Sequence, residues 1–134
     1  MASQKKCSGT QFVQNWTLGN PACTYQLTLF IDGVPITNPI TVSPPTDAGI
    51  AVLLNANRTG NTTGTFSTQI IGTDLFITIS DIVLSSTDTG GYTGSITGTG
   101  FPCSDFAFGG TVFLTCTLIT TKKKGGSGGA MYIA

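Results

Sequence analysis

Histidine is missing from all 134 residues, and so is glutamate. Without histidine there is no Ser-His-Asp or Cys-His machinery and no histidine-containing metal triad. The acids are six aspartates, Asp32, Asp47, Asp74, Asp81, Asp88 and Asp105. A glycosidase needs two carboxylates about 5–9.5 Å apart, and no local pattern pairs any of these. Gly90-Gly91 and the Gly98 and Gly100 pair precede no helix whose amides would cradle a phosphate. The sequence therefore predicts no catalytic residues, no metal, no cofactor and no enzyme.

Charge is scarce too. Charged residues make up 9% of the chain, against roughly 25% in ordinary soluble domains. Arg58 is the only cation between Lys6 and Lys122, so the body is weakly acidic and the ends are basic. A nucleic-acid surface needs cations clustered on the fold itself, and that partner class is excluded. No apolar run approaches the roughly 20 residues of a membrane span, and Met1–Gln4 leads straight into lysines without the apolar stretch of a signal peptide.

Present instead are Thr, Gly, Asn and Ser around recurring apolar alternation, with a mean hydropathy of +0.25. Cys23–Ile31 places Cys23, Tyr25, Leu27, Leu29 and Ile31 on one face, and Thr111–Thr121 alternates in the same way. Period two with β-branched and aromatic residues predicts half-buried strands. Asp32-Gly33 reads as a tight hairpin turn into Val34–Val42, which Pro35 and Pro39 make an edge or interrupted strand. Further strands are expected at Cys7–Trp16, Ile50–Leu54, Phe66–Ile71, Leu75–Leu84 and Tyr92–Thr99. Asp81 within Leu75–Leu84 suggests a bulge or an outward position, and Asn55–Gly64 and Ser85–Gly91 read as exposed loops. Eight to nine short strands with no helical period predict an all-β fold, an antiparallel sandwich or jelly roll.

Residues 1–9 read as an N-terminal arm, 10–121 as the domain, and 122–134 as a Lys-Gly-Ser linker carrying an appended peptide. Gly125–Gly129 has the composition of an engineered flexible linker. The strand-forming Met131, Tyr132 and Ile133 beyond it form a candidate docking tail.

Four cysteines without a Cys-x-x-Cys pair predict disulfides and an oxidising, extracellular or cell-surface destination. If Gly109-Gly110 is a two-residue hairpin turn, Cys103 faces Cys116, which leaves Cys7 with Cys23. In the rival scheme Cys7 leaves on its arm and bonds a neighbouring subunit. Trp16, Tyr92 and Phe101 are either core residues or the lining of a sugar-binding face. Asn15, Asn57 and Asn61 head N-glycosylation sequons.

Phe12-Val13-Gln14 behind a cysteine-bearing arm, Cys23 shortly after, and the glycine-to-strand run Gly110–Thr121 with Cys116 resemble the subunits of bacterial endospore appendages. Those are small jelly-roll proteins that stack into disulfide-linked pili. The resemblance implies an arm that reaches into neighbouring subunits, with Cys7 as its cysteine and Cys23 or Cys116 as acceptors. This chain has Lys6-Cys7 where that family tends to have adjacent cysteines, and Cys103 has no counterpart there. The expected function is a self-assembling subunit of an extracellular fibre or surface structure, joined to copies of itself by strand edges and disulfides. A monomeric binding module for a glycan or host surface and a phage or virus shell protein are the alternatives.

Overall fold

A computed structural model describes residues 3–43, 47–59, 62–100 and 103–119. Its strands are β1 (Gln4–Val13), β2 (Thr24–Ile31), β3 (Val34–Pro35), β4 (Ile40–Val42), β5 (Thr65–Ile71), β6 (Asp74–Ser85), β7 (Gly91–Thr99), β8 (Val112–Phe113) and β9 (Thr115–Ile119). One helix, α1, spans Ile50–Ala56, and a 3-10 turn spans Trp16–Leu18. The strands form two antiparallel sheets, β5-β6-β1-β9 and β3-β2-β7-β8, with β4 also on β2. The all-β sandwich expected from alternation is the fold.

Cys23–Ile31 supplies the central strand β2, but the other alternator, expected as one strand over Thr111–Thr121, is broken at Leu114 into β8 and β9, edge strands of different sheets. Along β2, Tyr25, Leu27, Leu29 and Ile31 face the core, while the residues between them are half-buried or exposed. On β6, Leu75, Ile77 and Ile79 point inward, and then the parity changes to Ile82. The register against β1 slips there, with Cys7 opposite Ile82 but Gly9 opposite Ile79, and Asp81 takes φ 60°. A bulge inserts one residue and so keeps both apolar runs on the buried face. Aspartate tolerates the left-handed backbone better than the β-branched residues near it.

The turn expected at Asp32-Gly33 forms, and a second tight turn lies at Gly72-Thr73. Asp32 and Gly33 both have positive φ, 53° and 81°, joining β2 to β3 by the two-residue link that suits the strand twist. Gly72-Thr73 joins β5 to β6, with Ile71 opposite Asp74. β3 stops at Pro35, and the strand resumes only after Pro39, as β4.

Three expectations are corrected. Ile50–Leu54 is helical, not a strand. Ile50 and Leu54 are four apart and buried, while Val52 and Leu53 are exposed, which is a helical face. A short apolar run does not separate the two cases. Second, residues 4–9 are no arm, because they are the first half of β1, hydrogen-bonded between β6 and β9.

Third, Gly109-Gly110 is not a hairpin turn. Phe106 bridges Ile96 in one sheet and Phe108 bridges Val13 in the other. Gln14 N donates to Ala107 O at 2.9 Å, and Gly109 N donates to Phe12 O at 3.0 Å. Residues 106–109 thus form a seam between the sheets. The glycines serve contact: a Cβ on Gly109 would overlap the Phe12 ring, and one on Gly94 would lie 2.5 Å from the Phe108 ring. Burying those rings outweighs the local turn preference.

Gln11 crosses the core at that seam. It is fully buried, and its amide nitrogen donates to Tyr92 O at 3.0 Å and to Gly110 O, while its oxygen accepts from Phe12 N at 2.8 Å. Tyr92, also fully buried, donates its hydroxyl to Ile77 O at 3.3 Å in the facing sheet. Burial pushes its phenol well above the usual tyrosine range.

Candidate assembly edges and the disulfide framework

The four cysteines form two bridges, Cys7–Cys116 and Cys23–Cys103, and none is free among the described residues. This corrects the local pairing. β9 pairs with β1 and not with the segment after Cys103, so Cys116 lies opposite Cys7 with Cα atoms 4.0 Å apart. Cys7, which the rival scheme sends out on an arm to a neighbouring subunit, is completely buried on the inner face of β1. Cys103 leaves the end of β7 and meets Cys23 at the start of β2, Cα to Cα 5.7 Å. Register through Gly109-Gly110 was the wrong guide because that turn does not form. Met131, Tyr132 and Ile133 lie outside the described residues, as do Phe101 and Asn61.

The possible sugar-face aromatics Trp16 and Tyr92 are both fully buried. Asn15 is exposed at φ 58° as the chain turns out of β1, and Asn57 donates its side chain back to Leu53 O at 2.8 Å. No group of His, Cys, Asp or Glu suited to a metal is found among the described residues. No described helix is long and apolar enough to cross a membrane. Two disulfides fit an oxidising, extracellular setting.

The Ser85–Gly91 loop is organised by Asp32. Its carboxylate accepts from the amides of Thr89, Gly90 and Gly91 at 3.1, 3.2 and 2.9 Å, and from the Thr89 hydroxyl. Burial alone would raise its pKa, but these donors together hold it below the ordinary carboxylate value of 3.8. The loop is thereby fixed to the β2–β3 turn.

The two sheets differ in how their edges are finished. Edges are the usual site of unwanted pairing, and proteins blunt them with proline, charge, bulges or short strands. In the second sheet β3 has two residues ending in Pro35, β4 has three, and β8 has two. The first sheet ends in β9, Thr-Cys-Thr-Leu-Ile, and β5, Thr-Phe-Ser-Thr-Gln-Ile-Ile. Neither contains a charge or proline, and both keep uninterrupted register with their neighbours. On β5 the Asn55 amide occupies the outer backbone at Phe66, accepting from its N–H at 2.9 Å and donating to its carbonyl at 3.0 Å. Among the described residues nothing pairs with the outer backbone of Thr68–Ile71.

No family model, curated protein or solved structure matches this chain. The fold and the edges themselves carry what can be said of function. Every neighbouring pair in the first sheet is antiparallel, so β5 and β9 run in opposite directions. A second copy in the same orientation would set its β5 antiparallel against β9. Leu118 on β9 and Ile71 on β5 are 65% and 54% exposed, leaving apolar surface at both edges. Sequence reasoning missed Asn55 as an edge cap and Gln11 as a core link. A polar residue at an inward position between Cys7 and Val13 was the signal for Gln11. Nothing local marked Asn55, because its partner at Phe66 is 11 residues away.

Proposed function

We propose that this protein is a structural subunit that assembles with copies of itself into an extracellular fibre or surface structure by pairing β9 of one copy with β5 of the next. The asymmetry of edge protection carries the reading: the second sheet's edges are short or broken by proline, and the first sheet's are uncharged and regular. Joining two different edges is a head-to-tail contact, which propagates an open filament where it does not close into a ring. Low surface charge supports it, because few ions need to be desolvated on packing. The resemblance to endospore appendage subunits points the same way.

The disulfides act within the subunit in this scheme. Cys7–Cys116 ties the pairing strand β9 to the sheet centre, so load on the edge passes into β1 and does not peel β9 away.

Negative-stain electron microscopy and sedimentation of the purified full chain test the proposal. Filaments or head-to-tail oligomers are expected. Leu118→Lys and Ile71→Lys, each at a mostly exposed position, should disperse them while leaving the circular dichroism spectrum and melting temperature near those of the parent. A parent chain that remains uniformly monomeric across concentration would sink the reading, as would lysine variants that assemble like the parent.

A further inference from the structure

A cavity of about 400 Å³ opens where the turn after β1, the start of β2 and the segment after Cys103 meet. Its apolar side is Leu18 and the half-buried Phe106, whose ring packs on the buried rings of Tyr25 and Trp16 at 4.9 and 5.4 Å, centre to centre. Its polar side is Asn15, Asn20, Ser104 and Asp105. The Cys23–Cys103 bridge joins the two chain segments that carry these residues, so the site is held open before any ligand arrives.

Hydrogen-bonding capacity is left over here. Tyr25 is only 3% exposed, yet its hydroxyl has no partner among the described residues. Among the described residues no fully buried polar side-chain atom goes unpaired, and Tyr25 lines the cavity, so that hydroxyl reaches the cavity surface. Asp105 uses one oxygen to accept from Gly98 N at 3.0 Å, and Asn20 uses its oxygen to accept from Ala22 N at 2.9 Å. The second Asp105 oxygen, the Asn20 amide nitrogen, the Asn15 amide and the Ser104 hydroxyl stay available. Among the described lining residues none is a cation, and one is a carboxylate.

We infer that this cavity is a binding site for a neutral saccharide unit. The exposed part of the Phe106 ring, with Leu18 beside it, offers apolar surface to the C–H face of a pyranose, while amides, hydroxyls and a carboxylate satisfy its hydroxyl groups. The lone carboxylate with no opposing cation disfavours phosphorylated, sulfated and uronic sugars. The size suits one or two sugar residues. Nothing in the edge-pairing scheme uses this cavity, so the two stand or fall separately.

Titration of the isotope-labelled full chain with methyl glycosides and the corresponding free sugars of neutral hexoses and N-acetylhexosamines, followed by amide NMR shifts, is the test. Glucuronate and glucose 6-phosphate serve as anionic controls. Saturable shifts centred on residues 15–20 and 104–106 are expected, with roughly millimolar affinity for so small a ligand. Stronger binding of the methyl glycoside than of the free sugar identifies a unit within a glycan; the reverse identifies a free sugar. Tyr25→Phe and Asn15→Ala should each weaken binding roughly fivefold, the loss of one neutral hydrogen bond, with the folded spectrum retained. The inference is overturned by the absence of saturable shifts with every neutral sugar. It is equally overturned by anionic sugars binding as tightly, or by both variants binding as well as the parent.

Discussion

Replacing Cys23 and Cys103 with serine opens a cross-link between residues 80 apart in sequence. In the chain-entropy account, closing a loop of that length stabilises the folded state by about 4.5 kcal/mol at 25 °C. Had Cys103 bonded Cys116 instead, the loop would be about 14 residues and the effect about 3 kcal/mol. For a domain of this size, about 4.5 kcal/mol corresponds to a melting-temperature fall of roughly 15 °C. The other bridge spans 109 residues and is of similar weight. Breaking both should remove most of the roughly 5–15 kcal/mol that natural domains hold in reserve, so the reduced chain is expected to be largely unfolded at 37 °C. Calorimetry of the double-serine variant reads the single-bridge effect.

A non-reducing tryptic digest reads the connectivity. Cleavage at Lys6, Arg58 and Lys122 places Cys7 and Cys23 on one fragment and Cys103 and Cys116 on another. The observed pairing holds these fragments together until reductant is added, whereas local pairing leaves them separate. Chymotrypsin at Phe12 or Trp16, between Cys7 and Cys23, and at Phe106, between Cys103 and Cys116, then separates Cys7–Cys116 with Cys23–Cys103 from the crossed alternative. Separate tryptic fragments, or a melting temperature lowered by less than about 3 °C in the serine variant, would refute the reasoning.

Two other substitutions probe the links between sheets and loops. Gln11→Leu removes the amide that serves the buried Tyr92 carbonyl, the Gly110 carbonyl and the Phe12 N–H; with a buried orphaned group costing about 1–3 kcal/mol, the denaturant midpoint should fall by the equivalent of roughly 2 kcal/mol, and a loss under about 1 kcal/mol would contradict the assigned role. Asp32 has a lower pKa folded than unfolded, so the unfolded chain takes up its proton first as pH drops. The stabilisation from this residue is fully present above the ordinary value of 3.8 and is lost as pH falls through the lower folded value. Asp32→Asn should cost roughly 1 kcal/mol at pH 7, discounted for exposure, and flatten the acid limb of the stability profile; an unchanged limb in urea titrations at pH 2–5 would count against this role.

Much of the local architecture is legible along the chain. The alternation of Tyr25 to Ile31 and of Leu75 to Ile79 specifies strands and buried faces, because a period of two depends only on the backbone. Asp32-Gly33 specifies its turn for the same local reason. Asp81 between two apolar runs of opposite parity signals the bulge. The lack of histidine and the scarcity of body cations likewise restrict the possible chemistry before any fold is known.

What the chain could not decide alone was which distant segments meet. Ile50–Leu54 became a helix because burial of Ile50 and Leu54 selected a period that five apolar residues leave ambiguous. Gly109 reads as half of a turn, yet it is the gap into which the Phe12 ring fits, a contact across 97 residues. The pairing of Cys116 with Cys7 follows from β9 lying beside β1. Likewise, the cavity by Tyr25 is lined by segments that the Cys23–Cys103 bridge joins across 80 residues. The sequence determined strands, turns and an oxidised cysteine framework, since each rests on local geometry. Tertiary structure decided strand order, cysteine partners and open edges, since each depends on burial shared between residues far apart in the chain.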